Sequence, residues 1–146
     1  MLRRLTVSLA TLMLLACGGS SSNTSLPRLS VSFARTPVPL ALGSYCWQTV
    51  NSGHCVDGGS IQSEIVARGL DAVRVLPASA GQITFDRAPK TLSLSAGPDE
   101  DHLEPVPVSG NSFRSPATAG RYAFRLTGRW HEGDASWVFV VTVTPA

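Results

Sequence analysis

What this 146-residue chain lacks narrows its function first. It has no G-x-S-x-G elbow, no H-E-x-x-H pair and no S-x-x-K, so the common local signatures of serine and zinc hydrolases are missing. Its many serines put Ser, His and Asp on offer without singling out any set of them. There is no C-x-x-C, the spacing that brings a second sulfur within reach of an intermediate on the first. The histidines, His54, His102 and His131, are scattered and match no zinc spacing. No cluster of Lys and Arg is interleaved with aromatic residues, so nucleic-acid binding has no electrostatic footprint. The two methionines, Met1 and Met13, lie in the first sixteen residues, which leaves no thioether ligands for copper(I) elsewhere. A non-enzymatic protein without metal or cofactor is expected.

The N-terminus carries an address. Residues 1–16 read MLRRLTVSLATLMLLA: Arg3 and Arg4 form a positive region, an apolar run follows from Leu5, and small Ala16 precedes Cys17. Charge, length and small residue are those of a secretory signal peptide. The apolar part is about a dozen residues, short of the roughly 20 that cross a bilayer as a helix. Leu14-Leu15-Ala16-Cys17 resembles the bacterial lipobox, in which a peptidase cuts before a cysteine joined to diacylglycerol. The resemblance covers the first seventeen residues. It implies that Cys17 is lipidated and that the protein is held at the extracytoplasmic side of a bacterial membrane, in the cell envelope. Gly18 after that cysteine implies default sorting, to the outer membrane where there are two. The tract 18–25, GGSSSNTS, has no charge and no large apolar side chain, so it is expected to behave as a flexible tether. The expected organisation is a signal peptide over 1–16, a lipidated tether over 17–28 and one domain over 29–146.

With Cys17 assigned to lipid, Cys46 and Cys55 remain. Outside the cytoplasm thiols oxidise, so these two are expected to form a disulfide. Closing so short a loop contributes roughly 2.5 to 3 kcal/mol by loop entropy. Removing Arg3 and Arg4 with the leader leaves ten basic and ten acidic residues in the mature chain. The basic character of the whole sequence belongs to the precursor.

The domain reads as all-β. Leu29, Val31 and Phe33 alternate with Ser30 and Ser32, the period of a half-buried strand. Val73 and Val75, Ile83 and Phe85, Leu92 and Leu94, and Val106 and Val108 repeat the pattern. PASAG, RAPK, AGPDED and SGNS separate the runs as turns, at the spacing of a sandwich or barrel. Pro37 and Pro39 restrict their segment to a sheet edge. One helix is expected over 60–70, with Ser60 as N-cap and Gly69 as stop. At the end, RYAFRLTGRW and ASWVFVVTVT flank HEGD as a hairpin. Tyr122, Phe124 and Leu126 should face the core with Phe139 and Val141, and Arg121 and Arg125 should face water. The second strand is apolar on one face and partly so on the other, as in a strand covered on both sides. Residues 116–124, PATAGRYAF, resemble the P-x-x-x-G-x-Y-x-F approach to a late strand of immunoglobulin-like modules. That resemblance implies an immunoglobulin-like antiparallel β-sandwich of about seven strands. The close spacing of Cys46 and Cys55 does not suit the bridge that joins the two sheets in antibody domains.

Two segments could carry chemistry. Tyr45, Trp47, Gln48, His54 and Asp57 belong to the stapled stretch, where rings with adjacent polar groups suit a sugar, a peptide or a flat small molecule. Against this, Trp47 could pack inside the sandwich, since tryptophan is highly buried on average. In PDEDHLEP, residues 98–105, Asp99, Glu100, Asp101 and Glu104 surround His102, enough oxygen for calcium but without the glycine of an EF-hand loop. A plain solvated loop is the alternative. The function expected is an anchored interaction or accessory module whose partner is an envelope protein or a small ligand. A tethered protease inhibitor and a hydrolase are the remaining alternatives.

Overall fold

The computed structural model describes residues 25–145. Residues 1–24, with the expected signal peptide and the lipidation candidate Cys17, lie outside them. The elements in chain order are β1 (Leu29–Phe33), β2 (Thr36–Val38), β3 (Ala41–Gln48), β4 (Gly53–Val56), α1 (Ile61–Ala67), β5 (Val73–Val75), β6 (Ala80–Phe85), β7 (Thr91–Gly97), a 3-10 turn (Glu100–His102), β8 (Glu104–Val106), β9 (Ser112–Arg114), β10 (Gly120–Arg129) and β11 (Gly133–Val143). They build a sandwich of a four-stranded sheet, β2-β1-β6-β9, and a seven-stranded sheet, β4-β3-β11-β10-β7-β8 with β5 added beside β11. All pairings are antiparallel except β5 with β11.

The immunoglobulin-like plan is visible in which strands neighbour which. In that fold strands A, B and E share one sheet and C, F and G the other. Here β1, β6 and β9 take the first set of places and β7, β10 and β11 the second, with β8 widening the sheet beyond β7. Tyr122, at the start of β10, donates its hydroxyl to the Thr118 carbonyl at 3.0 Å, the corner bond expected of a tyrosine in that position. The described residues form eleven strands where about seven were expected. The surplus is largely one insertion: β2, β3, β4 and α1 all lie between β1 and β5.

The final hairpin follows the expected parity. Phe124 opposes Phe139, Tyr122 opposes Val141 and Leu126 opposes Trp137. Phe124 and Phe139 are fully buried and stack at 4.7 Å between ring centroids. Phe113, on β9 of the other sheet, reaches both rings at 6.0 and 6.3 Å and meets Phe33 edge-on at 5.4 Å. Gly81, beside it on β6, leaves the space that this ring fills, because a Cβ there would strike it. The alternating residues of β1, β5, β6, β7 and β8 close the same core.

Outside the seven-stranded sheet, Val138 and Val140 of β11 are also buried, with Ala123, under Ile61 and Ile65 of α1. Ser60 caps the helix by accepting from the Ser63 amide. Gly69, with φ of 57°, ends it, and the amides of Gly69 and Leu70 bond back to the carbonyls of Val66 and Ile65. That is the paired 5→2 and 6→1 closure of a Schellman ending. Glu100 then fastens the helix to the sheet. One carboxylate oxygen accepts from the Ile61 amide at 2.9 Å and the other from Arg125 at 2.6 Å. Arg125 does lie on the outer face, but it is half-covered and bound to Glu100 rather than free in water.

Two outcomes of truncation follow, both measured by urea unfolding. Phe124→Ala or Phe139→Ala should cost about 3 to 5 kcal/mol, the loss usual for a buried phenylalanine. Arg125→Ala should cost at most about 1 kcal/mol, since a partly exposed ion pair contributes little. Equal losses at positions 124 and 125 would overturn the assignment of faces.

Candidate ligand site at the stapled hairpin

β3 and β4 form a hairpin in which Cys46 stands directly opposite Cys55, and their sulfurs are joined. The disulfide therefore ties two paired strands together. The hairpin is not a separate loop. Along β3, Trp47 pairs with Gly133 and Cys46 with Asp134, so the staple sits beside the HEGD turn on the edge of β11. A Cβ at position 133 would strike the Cys46 carbonyl, and its φ of 154° also favours glycine. Gly133 is what lets β3 come so close.

The structure divides the five residues singled out in this segment. Trp47 is 4% exposed and belongs to a buried cluster with Trp130, Ala135 and Trp137, so it is chiefly a core residue, though it also borders the cleft beside the staple. Its ring meets Trp130 edge-on at 5.8 Å, and Trp130 meets Trp137 at 6.1 Å. Tyr45 is half-buried at the margin of that cluster, 5.9 Å from the exposed His54 ring. Asp57 is exposed beyond the end of β4 and takes no part in the cleft beside the staple.

That cleft is lined by Trp47, Gln48, His54, the disulfide and the turn residues His131, Glu132 and Asp134, and holds about 270 Å³. Small-molecule pockets start at roughly 300 Å³. Part of its polar lining is already engaged, because Glu132 accepts from Arg87 at 2.7 Å. Geometry of this kind admits an ion or a few waters more readily than a sugar ring. Among the described residues no three of His, Cys, Asp and Glu gather as a metal set.

Arg87 is the residue that sequence reasoning missed. Its guanidinium lies 5.1 Å from the Trp47 ring centroid, a cation–π distance, while Nη2 donates to the Ser25 carbonyl at 3.1 Å. Its own carbonyl accepts from Trp130 Nε1 at 2.9 Å. These partners lie some 40 to 60 positions away in sequence, so no local pattern marks them. Trp47 Nε1, in contrast, is buried with no hydrogen-bond partner among the described residues. The two tryptophans should therefore respond oppositely to loss of the indole N–H. Trp47→Phe should change stability by less than about 1 kcal/mol, because removing an unsatisfied donor offsets the smaller ring, whereas Trp130→Phe should cost roughly 1 to 3 kcal/mol by orphaning a carbonyl. Unfolding midpoints in urea measure both. The reverse order would mean that Trp47 Nε1 is satisfied in solution.

In the acidic segment 98–105, Asp99 and Glu100 are engaged within the chain. Glu100 binds α1 and Arg125, and Asp99 accepts from His102 at 2.6 Å while also capping the Asp101 amide. The hydrogen bond from His102, reinforced by its charge, holds the Asp99 carboxyl below the ordinary carboxylate range. The same bond raises His102 above the ordinary histidine value. The pair therefore weakens as pH rises through the raised His102 value, and again as pH falls through the lowered Asp99 value. Titration of the His102 ring followed by NMR should show the elevated midpoint, and Asp99→Asn should return it toward the ordinary value. An unchanged midpoint in the variant would exclude the pair. No protein-family model, curated protein or solved structure matches this chain.

Proposed function

We propose that the protein is a lipid-anchored, non-catalytic interaction module of the bacterial cell envelope. The observation that carries this reading is where the chain enters the sandwich. Ser25 is held by Arg87 at the pole that contains the tryptophan cluster, and β1 runs from there toward the opposite pole, its first residue Leu29 opposite Phe85 and its last, Phe33, opposite Gly81. The lipobox-like cysteine lies only eight residues before Ser25. The tryptophan pole would then stay near the membrane, and the far pole would be presented outward.

The stapled hairpin supports the same reading from the other side. Its cleft is small and its largest ring is in the core, so recognition falls to exposed surface rather than to an enclosed pocket. Metabolic labelling with a fatty acid tests the anchor. The wild-type protein should take up label and Cys17→Ser should not. A wild type that stays unlabelled, with Cys17→Ser behaving identically, would remove the anchor from the proposal.

A further inference from the structure

The far pole of the sandwich carries a groove of about 680 Å³ between the β1–β2 hairpin on one sheet and the end of β5 on the other. Arg35 and Arg74 line it, together with Ser32, Thr36, Gln82 and Leu76, the last 57% exposed. Among the described residues no acidic one lines it. Two more arginines stand close by. Arg114 donates to the Ala78 carbonyl in the adjoining turn at 2.9 Å, and Arg121 lies across Thr142 from Arg74. Among the described residues the ion pairs engage Arg68, Arg87, His102 and Arg125, and none of these four arginines. The mature chain has as many acids as bases, so this pole is positive because its acids sit elsewhere.

A second observation falls on the same place. Among the described residues three non-glycine positions have positive φ: Ala34 at 44°, Arg35 at 76° and Ala78 at 53°. Ala34 and Arg35 are the two central residues of the β1–β2 turn, whose ends Phe33 and Thr36 pair. Such a turn needs left-handed backbone at both positions and normally takes Asn-Gly. Here it takes Ala-Arg, which sets a guanidinium at the tip at the expense of local ease. Strained backbone of this sort gathers at working surfaces.

From these observations we infer that the groove binds an acidic glycan of the envelope, seating its carboxylate or phosphate groups between Arg35 and Arg74. Guanidinium groups form paired hydrogen bonds to either oxyanion. The hydroxyls of Ser32 and Thr36 and the amide of Gln82 suit the hydroxyls that alternate with charge along such a polymer. An acidic protein strand is less well served, because β2 is an edge strand and Pro37 within it has no N–H to offer an added strand. The inference rests on the envelope reading for the source of the glycan, but its chemistry is independent of the anchor.

The test uses the full-length protein, purified in mild detergent, and four immobilised probes: polygalacturonate, poly(glycerol phosphate), poly-glutamate and uncharged dextran. The wild type should retain one or both of the first two and neither of the others, with retention falling as salt rises. Preference between polygalacturonate and poly(glycerol phosphate) identifies carboxylate or phosphate as the group bound. Arg35→Asn with Arg74→Gln should weaken the preferred probe tenfold or more, Asn being chosen because it tolerates left-handed backbone. Arg68→Ala with Arg129→Ala removes equal charge elsewhere and should change binding less than twofold. Circular dichroism of both double variants should match the wild type, and if the groove pair misfolds, Arg74→Gln alone should still weaken binding at least threefold. Equal weakening by the two charge pairs, tighter binding to poly-glutamate, or retention of no acidic polymer would each overturn the inference. Glycan binding by a protein that takes up no fatty acid would uphold the groove and overturn only the anchorage.

Discussion

Everything in this structure leans on β11, a strand that is apolar on both faces. Phe139, Val141 and Val143 enter the core between the sheets, while Val138 and Val140 point the other way and are just as thoroughly buried. A strand of that kind must be covered twice. The opposite sheet provides one cover and α1, held down by Glu100, provides the other. Its two edges are also occupied, by β10 along its length and by β3 and β5 placed end to end. Full burial of side chains this large is worth about 1.5 to 3 kcal/mol each. The insertion that carries β3, β4 and α1 is therefore part of the domain's stability as well as a decoration of its edge.

The same insertion explains the division of labour between the two poles. At one, the hairpin and the HEGD turn meet over the tryptophan cluster, where Arg87 draws together Trp47, Glu132 and Ser25. Of the cations there, Arg87 is ion-paired, with Glu132. At the other pole the strands end in short turns whose arginines form no ion pair among the described residues, and the even balance of acids and bases over residues 25–145 conceals this difference. Composition alone could not have exposed it.

How much of this was legible beforehand depends on the range of the interaction. The alternation in β1, β5, β6, β7 and the final hairpin, the helix with both of its stops, and the tyrosine corner are all written within a few residues, and each was readable. β3 was not recognised as a strand because it breaks its own alternation. A bulge where it passes Ser136 shifts the register, so the residues facing the tryptophan cluster change from Leu40 and Leu42 to Tyr45 and Trp47. Read with a strict period of two, such a segment looks irregular. The sequence also leaves Trp47 open between core and ligand, because the cluster that buries it draws its rings from residues 130 and 137. Arg125 looked free because Glu100, its partner, lies in a loop 25 positions away.

The position of Ser25 has a mechanical side. β1 lies between β2 and β6, hydrogen-bonded along both edges, and the chain leaves it at the tryptophan pole. A pull between that exit and the far pole would run along the strands. It would load the ladder from β1 to β6 in shear, with all five paired positions resisting together, instead of peeling them apart in turn. A domain fastened at one end and grasped at the other would meet tension in the direction in which its sheets yield least.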